Sequence, residues 1–82
     1  MKFNIDIKVS LKDGVLDPQG KTIAHALINL GFKNIVNVNT GKIFKVEIDA
    51  ESETNAKKIA DDIANKLLAN PIVEKYEIQV IR

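Results

Sequence analysis

The sequence has no cysteine, no tryptophan, a single histidine and only two prolines among its 82 residues. Without cysteine there is no disulfide, thiolate metal site, iron–sulfur cluster or thiol nucleophile, which fits a cytoplasmic protein. No apolar run approaches the roughly 20 residues needed to cross a bilayer, and Met1-Lys2 leads straight into an alternating pattern rather than a leader-like apolar stretch. Membrane insertion and secretion are therefore not expected. An excess of one charge is also missing: 12 Lys and Arg face 11 Asp and Glu, interleaved along the chain, so nothing marks a nucleic-acid footprint. Size is short as well. A chain of this length forms one domain, residues 1–82, that buries only about 60 to 65% of its unfolded surface. Small domains without staples gain the missing burial by association, so a homodimer or a dimer of dimers is expected.

What is present is strong periodicity. From Lys2 to Lys12 the chain alternates strictly, with Phe3, Ile5, Ile7, Val9 and Leu11 on one side, which predicts a half-buried strand. Asp17-Pro18 is a helix-start signal, and a first helix is expected over Pro18–Leu30 with Ile23, Ala26, Leu27 and Leu30 as its apolar stripe and Gly31 ending it. Two strands are expected at Ile35–Thr40 and Ile43–Ala50, and strand parity asks for a three-residue hairpin loop, Thr40-Gly41-Lys42, between them. A second helix, capped by Ser52, carries Ala56, Ile59, Ala60, Ile63, Ala64, Leu67 and Leu68 at spacings of three and four, and Asn70-Pro71 stops it. A last strand turns Tyr76, Ile78 and Val80 inward. The order strand, helix, strand, strand, helix, strand predicts an α+β, ferredoxin-like βαββαβ fold, with one antiparallel sheet and both helices on one face.

Chemistry is hard to find. His25 falls on the polar side of the first helix with no acid or nucleophile placed beside it, and reads as a surface or interface histidine. Ser10 and Ser52 sit on a strand face and a helix cap, and Asp61-Asp62 diverge by a helical step, so no triad or metal pair is formed. Gly41-Lys42 lacks the glycine and the Ser or Thr that a phosphate loop needs around it. No metal ligand set is expected. The aromatics Phe3, Phe32, Phe44 and Tyr76 fall on inward or junction positions rather than on an open sheet face where RNA bases would stack. One residue resists a plain account: Gly20, in the first turn of a helix, is either part of a lead-in turn or a place where another backbone approaches.

Several segments together resemble the PurS family, the small subunit of phosphoribosylformylglycinamidine synthase in purine biosynthesis. They are Gly14-Val15-Leu16-Asp17-Pro18-Gln19-Gly20, Ala26-Leu27 with Leu30-Gly31, Gly41-Lys42, and Lys66-Leu67-Leu68-Ala69-Asn70-Pro71 followed by Ile72-Val73-Glu74. The resemblance runs along essentially the whole chain. It departs at Asn39, where the family often has arginine, and at Asn65, where cysteine is common. It implies a subunit without catalytic residues or cofactors of its own. A large synthetase subunit would use ATP and Mg to activate formylglycinamide ribonucleotide, a glutaminase subunit would supply ammonia, and this chain would join the two. Asp17, Pro18, Gln19, Gly20, Gly41 and Lys42 are the expected partner-binding residues. The competing reading is a dimeric metabolite-sensing domain of the same fold. An acyl phosphate hydrolase is excluded because the only arginine is Arg82.

Overall fold

The computed structural model describes the whole chain, Met1–Arg82. Strand β1 is Lys2–Leu11, helix α1 Pro18–Asn29, strand β2 Gly41–Asp49, helix α2 Glu53–Ile63 and strand β3 Glu74–Ile81, with a π-helical turn at Ala64–Leu68. The strands form one antiparallel sheet in the order β2-β1-β3. Alternation sets the register: Ile5 lies opposite Val46 and Val80, and Ile7 opposite Phe44 and Ile78, so the apolar sets of all three strands share a face. The other face is polar, with Lys45 reaching Asp6 at 3.4 Å across the ladder.

Helix α2 covers the apolar face. Ser52 caps it, its hydroxyl accepting the Asn55 N–H at 3.1 Å. The residues it turns inward are the smallest available, Ala56, Ala60 and Ala64, each fully buried, so the helix lies close against Ile5, Ile7 and Val9. The Tyr76 hydroxyl donates to Asp61 Oδ1 at 2.7 Å and ties the exposed side of α2 to β3.

The α+β, ferredoxin-like architecture is as expected, and the sheet order is that of this fold without one edge strand. Three particulars differ. The strand expected at Ile35–Thr40 does not form, and Thr40-Gly41-Lys42 is not a hairpin loop. Gly41 and Lys42 instead begin β2 and pair with Ser10 and Val9 of β1, consuming the loop residues the hairpin required. Asn34, Asn37 and Asn39 make the vacated segment a poor strand, and Val36 stands 97% exposed. Second, the helical stripe does not run on to Leu67. The Ala69 N–H donates to the Ala64 carbonyl, five residues back, and this wide turn swings Leu67 into solvent while Leu68 packs and Ala69 is buried. Pro71 forces the residue before it out of the helical region, and Asn70 then closes a turn into β3, its carbonyl accepting the N–H groups of Val73 and Glu74.

Third, α1 does not lie on the sheet. It packs against no strand to any substantial extent, and only Gly20 of its residues is buried. The molecule is consequently drawn out to 51 × 28 × 14 Å, with a radius of gyration of 16.2 Å where a compact chain of this length has about 12 Å.

Candidate partner interface

Asp17 adopts an extended backbone immediately before Pro18, whose fixed φ opens α1. That geometry lets its Oδ1 accept the Gly20 N–H at 2.9 Å, an ordinary N-cap bond. The same carboxylate reaches across 23 residues: Oδ2 accepts the Thr40 N–H at 2.7 Å, and the Thr40 hydroxyl lies 2.9 Å from Oδ2 and 3.1 Å from Oδ1. These donors favour the ionised form. The Thr40 amide first, then the Gly20 amide, hold the Asp17 carboxyl below its ordinary value.

Gly20 completes the clamp from the other side. A methyl carbon at Gly20 would overlap the Val38 carbonyl oxygen, and would stand 3.0 Å from the Asp17 carboxyl. Of the two readings of this glycine, the approach of another backbone is the one found. Gly41, next along, is needed for a similar reason: a Cβ there would sit 2.9 Å from the Val9 carbonyl oxygen. Residues 38–41 are thus threaded between the N-terminus of α1 and the end of β1.

The six residues singled out from sequence fall into two groups. Asp17, Gly20 and Gly41 face inward or into hydrogen bonds and build the clamp, while Pro18 starts the helix and its carbonyl accepts the Thr22 hydroxyl at 3.0 Å. Gln19 and Lys42 are exposed and make no hydrogen bond or ion pair of their own side chains. Thr40 and Val38 were not singled out, because a contact over 23 residues leaves no local periodicity to read.

A cleft of about 500 Å³ opens beside the clamp, bounded by the Lys12–Leu16 loop, Asn37, Asn39, Lys21 and Lys75. Lys75 pairs with Asp13 at 3.6 Å, and the Lys12 ammonium donates to the Pro71 carbonyl at 2.7 Å. Nowhere do three Asp, Glu or His side chains converge as a metal site would require, and His25 stands exposed on α1. No helix is long and apolar enough to cross a membrane.

The model of the PurS family, described as phosphoribosylformylglycinamidine (FGAM) synthase, matches residues 4–82. A PurS subunit of that synthase from Archaeoglobus fulgidus is 42% identical over 73 residues, 89% of this chain and 91% of its own. The crystal structure of Methanocaldococcus jannaschii PurS, described as one of the subunits of formylglycinamide ribonucleotide amidotransferase, superposes with a TM-score of 0.87 at 40% identity, covering 98% of this chain and 96% of that one. A chain in the structure of PurLQS from Thermotoga maritima superposes with a TM-score of 0.91 at 31% identity, covering 99% of each.

Proposed function

The chain belongs to the PurS family of phosphoribosylformylglycinamidine synthase subunits, and from that premise we propose that it performs no chemistry itself and holds the catalytic subunits together. The observation that carries this reading is the near-complete superposition on a chain of the PurLQS structure. In the proposal, a larger synthetase subunit uses ATP and Mg to activate the amide of formylglycinamide ribonucleotide. A glutaminase subunit releases ammonia, and this chain fixes the two so that ammonia passes between them. Purine synthesis of this kind places the work in the cytoplasm.

The absence of a nucleophile with an adjacent base supports assignment of all turnover to the partners. Its contribution is positional: holding two active sites in register converts a bimolecular hand-over into an effectively unimolecular one. The clamp suits that task, since it fixes the backbone beneath Gln19 and Lys42 and presents both side chains outward. These two residues meet a larger subunit, and Asp17, Pro18, Gly20 and Gly41 shape the surface that carries them. Association with a second copy completes the unit, because one chain alone buries few side chains, ten residues in all.

The test is a reconstituted mixture of the three kinds of subunit, assayed with glutamine and with ammonium as nitrogen source. Omitting this chain should abolish most glutamine-driven amidation and leave ammonia-driven amidation largely intact. An unchanged glutamine-driven rate, or conversion of glutamine or ATP by the purified chain alone, refutes the proposal.

A further inference from the structure

Resting on the proposed meeting of Gln19 and Lys42 with a larger subunit, we infer that residues 18–42 form a basic arm that docks on an acidic surface of that subunit. The first observation is how charge is divided. From Pro18 to Lys42 the chain carries Lys21, Lys33, Lys42 and His25 and not one Asp or Glu. The other nine of the 12 Lys and Arg share the rest of the chain with all 11 carboxylates. With His25 neutral, the arm holds a formal charge of +3 and the body −2, so the net charge of +1 is the sum of two regions of opposite sign.

The second observation is that this division in sequence is also a division in space. Asp17 holds Thr40, and Gly20 abuts the Val38 carbonyl oxygen, so α1 and the residues that return from it are joined at their base. Beyond that base α1 packs against no strand to any substantial extent, and the body's carboxylates are not laid along it. Asp13 and Asp17, which border the cleft with Lys21, are both engaged: Asp17 accepts the Gly20 and Thr40 amides, and Asp13 pairs with Lys75 at 3.6 Å.

The third observation is which cations are already neutralised. Five of the nine on the body form ion pairs, as Lys45 does with Asp6 and Lys66 with Asp62. Of the rest, Lys2 and Lys8 lie opposite Asp49 and Glu77 in the sheet, Lys58 precedes Asp61 and Asp62 by one helical turn, and Lys12 donates to the Pro71 carbonyl. Lys21, Lys33 and Lys42 are exposed and have no such partner. Cations left open in this way steer encounter with a negative surface and reject a positive one. Phe32 and Val36, 53% and 97% exposed on the same arm, give the contact the apolar centre of a protein interface. Three lysines with no arginine are a thin footprint for nucleic acid.

The test measures the rate at which the full chain associates with the larger synthase subunits, at low and at high NaCl. Lys21→Glu with Lys33→Glu takes the arm from +3 to −1 and leaves Lys42 in place. Lys2→Glu with Lys58→Glu makes the same change of net charge on the body. The arm pair should slow association about tenfold or more at low salt, and the deficit should shrink as NaCl rises towards about 0.5 M. The body pair should change the rate by less than about twofold. Lys21→Gln with Lys33→Gln, which only neutralises, should fall between the parent and the arm pair. Equal slowing by the arm and body pairs, or none by the arm pair, overturns the acidic docking alone. So does a sedimented mass that differs between the arm pair and the parent, which would place these lysines between copies of this chain. Binding of a duplex oligonucleotide that only the arm pair loses, with subunit association unaffected, overturns it as well. A parent chain that does not associate with the larger subunits at all overturns the proposed function beneath it.

Discussion

Replacing Gly20 by alanine isolates the contact that fastens α1 to the segment before β2. The added methyl group would overlap the Val38 carbonyl oxygen, which is backbone and cannot rotate away. Relief requires the helix and residues 38–40 to separate by roughly an ångström, a distance that close-packed structure does not absorb freely. That movement stretches the 2.7 Å bond from the Thr40 amide to Asp17 beyond hydrogen-bonding range. Overpacking of this kind costs about 1 to 3 kcal/mol. Against it stands helix propensity, which favours alanine over glycine by up to about 1 kcal/mol. Because the clash is with backbone, the steric cost lies at the upper end of that range, about 2 to 3 kcal/mol, and the net loss is about 1 to 2 kcal/mol, equivalent to a fall in Tm of roughly 4 to 16 °C for a domain of this size. Thermal unfolding followed by circular dichroism, at one fixed chain concentration because association shifts Tm, measures it. Gln19→Ala, one residue earlier and exposed, should change Tm little. A Gly20→Ala chain as stable as the parent, or more stable, would refute the account of this glycine and with it the clamp.

Other consequences can be checked separately. Because its donors lower the folded-state pKa of Asp17, the stability it contributes is present above its ordinary value of 3.8 and is lost as pH falls through the lower folded value. Tm should therefore fall more steeply with acid in the parent than in Asp17→Asn, and coincident profiles would contradict this. Gln19→Ala and Lys42→Ala together should weaken copurification with the larger subunits while leaving circular dichroism unchanged; undiminished complex formation would move the interface elsewhere. At the π-helical turn, Leu67→Ala should alter the stability of the isolated chain by no more than about 0.5 kcal/mol, whereas Leu68→Ala should cost about 2 kcal/mol. Equal effects in denaturant titrations would mean that the helix continues in α register.

Much of this fold was legible in the sequence because its signals are local. Alternation of Phe3, Ile5, Ile7 and Val9 fixed which face of β1 is buried, and the inward sets of β2 and β3 followed the same rule. Both helix caps, Asp17 and Ser52, sit where their side chains find amides three residues on. What could not be read was decided between distant residues. Whether Gly41 and Lys42 form a loop or lengthen β2 depends on pairing with β1, and whether Thr40 joins a strand or an aspartate depends on a partner 23 residues away. The turn at Ala64–Leu68 depends on where Leu68 and Ala69 must land, not on the spacing of the leucines. For the candidate interface, sequence resemblance supplied six residues and no geometry. It could not separate Gln19 and Lys42, which face outward, from Asp17 and Gly20, which hold the backbone beneath them.

The three alanines by which α2 meets the sheet have a consequence for the amount of this protein a cell keeps. With alanines at its fully buried positions and Ile59 and Ile63 only partly covered, this helix buries less side-chain carbon than a leucine-faced one would, so an unassembled chain has a thin margin against unfolding. Partners that bind only the folded form shift that equilibrium by mass action. Copies left without partners open more often, and opened chains are the ones proteases cut. Turnover is thus expected to trim the surplus, so that the abundance of the small chain should follow that of the subunits it joins.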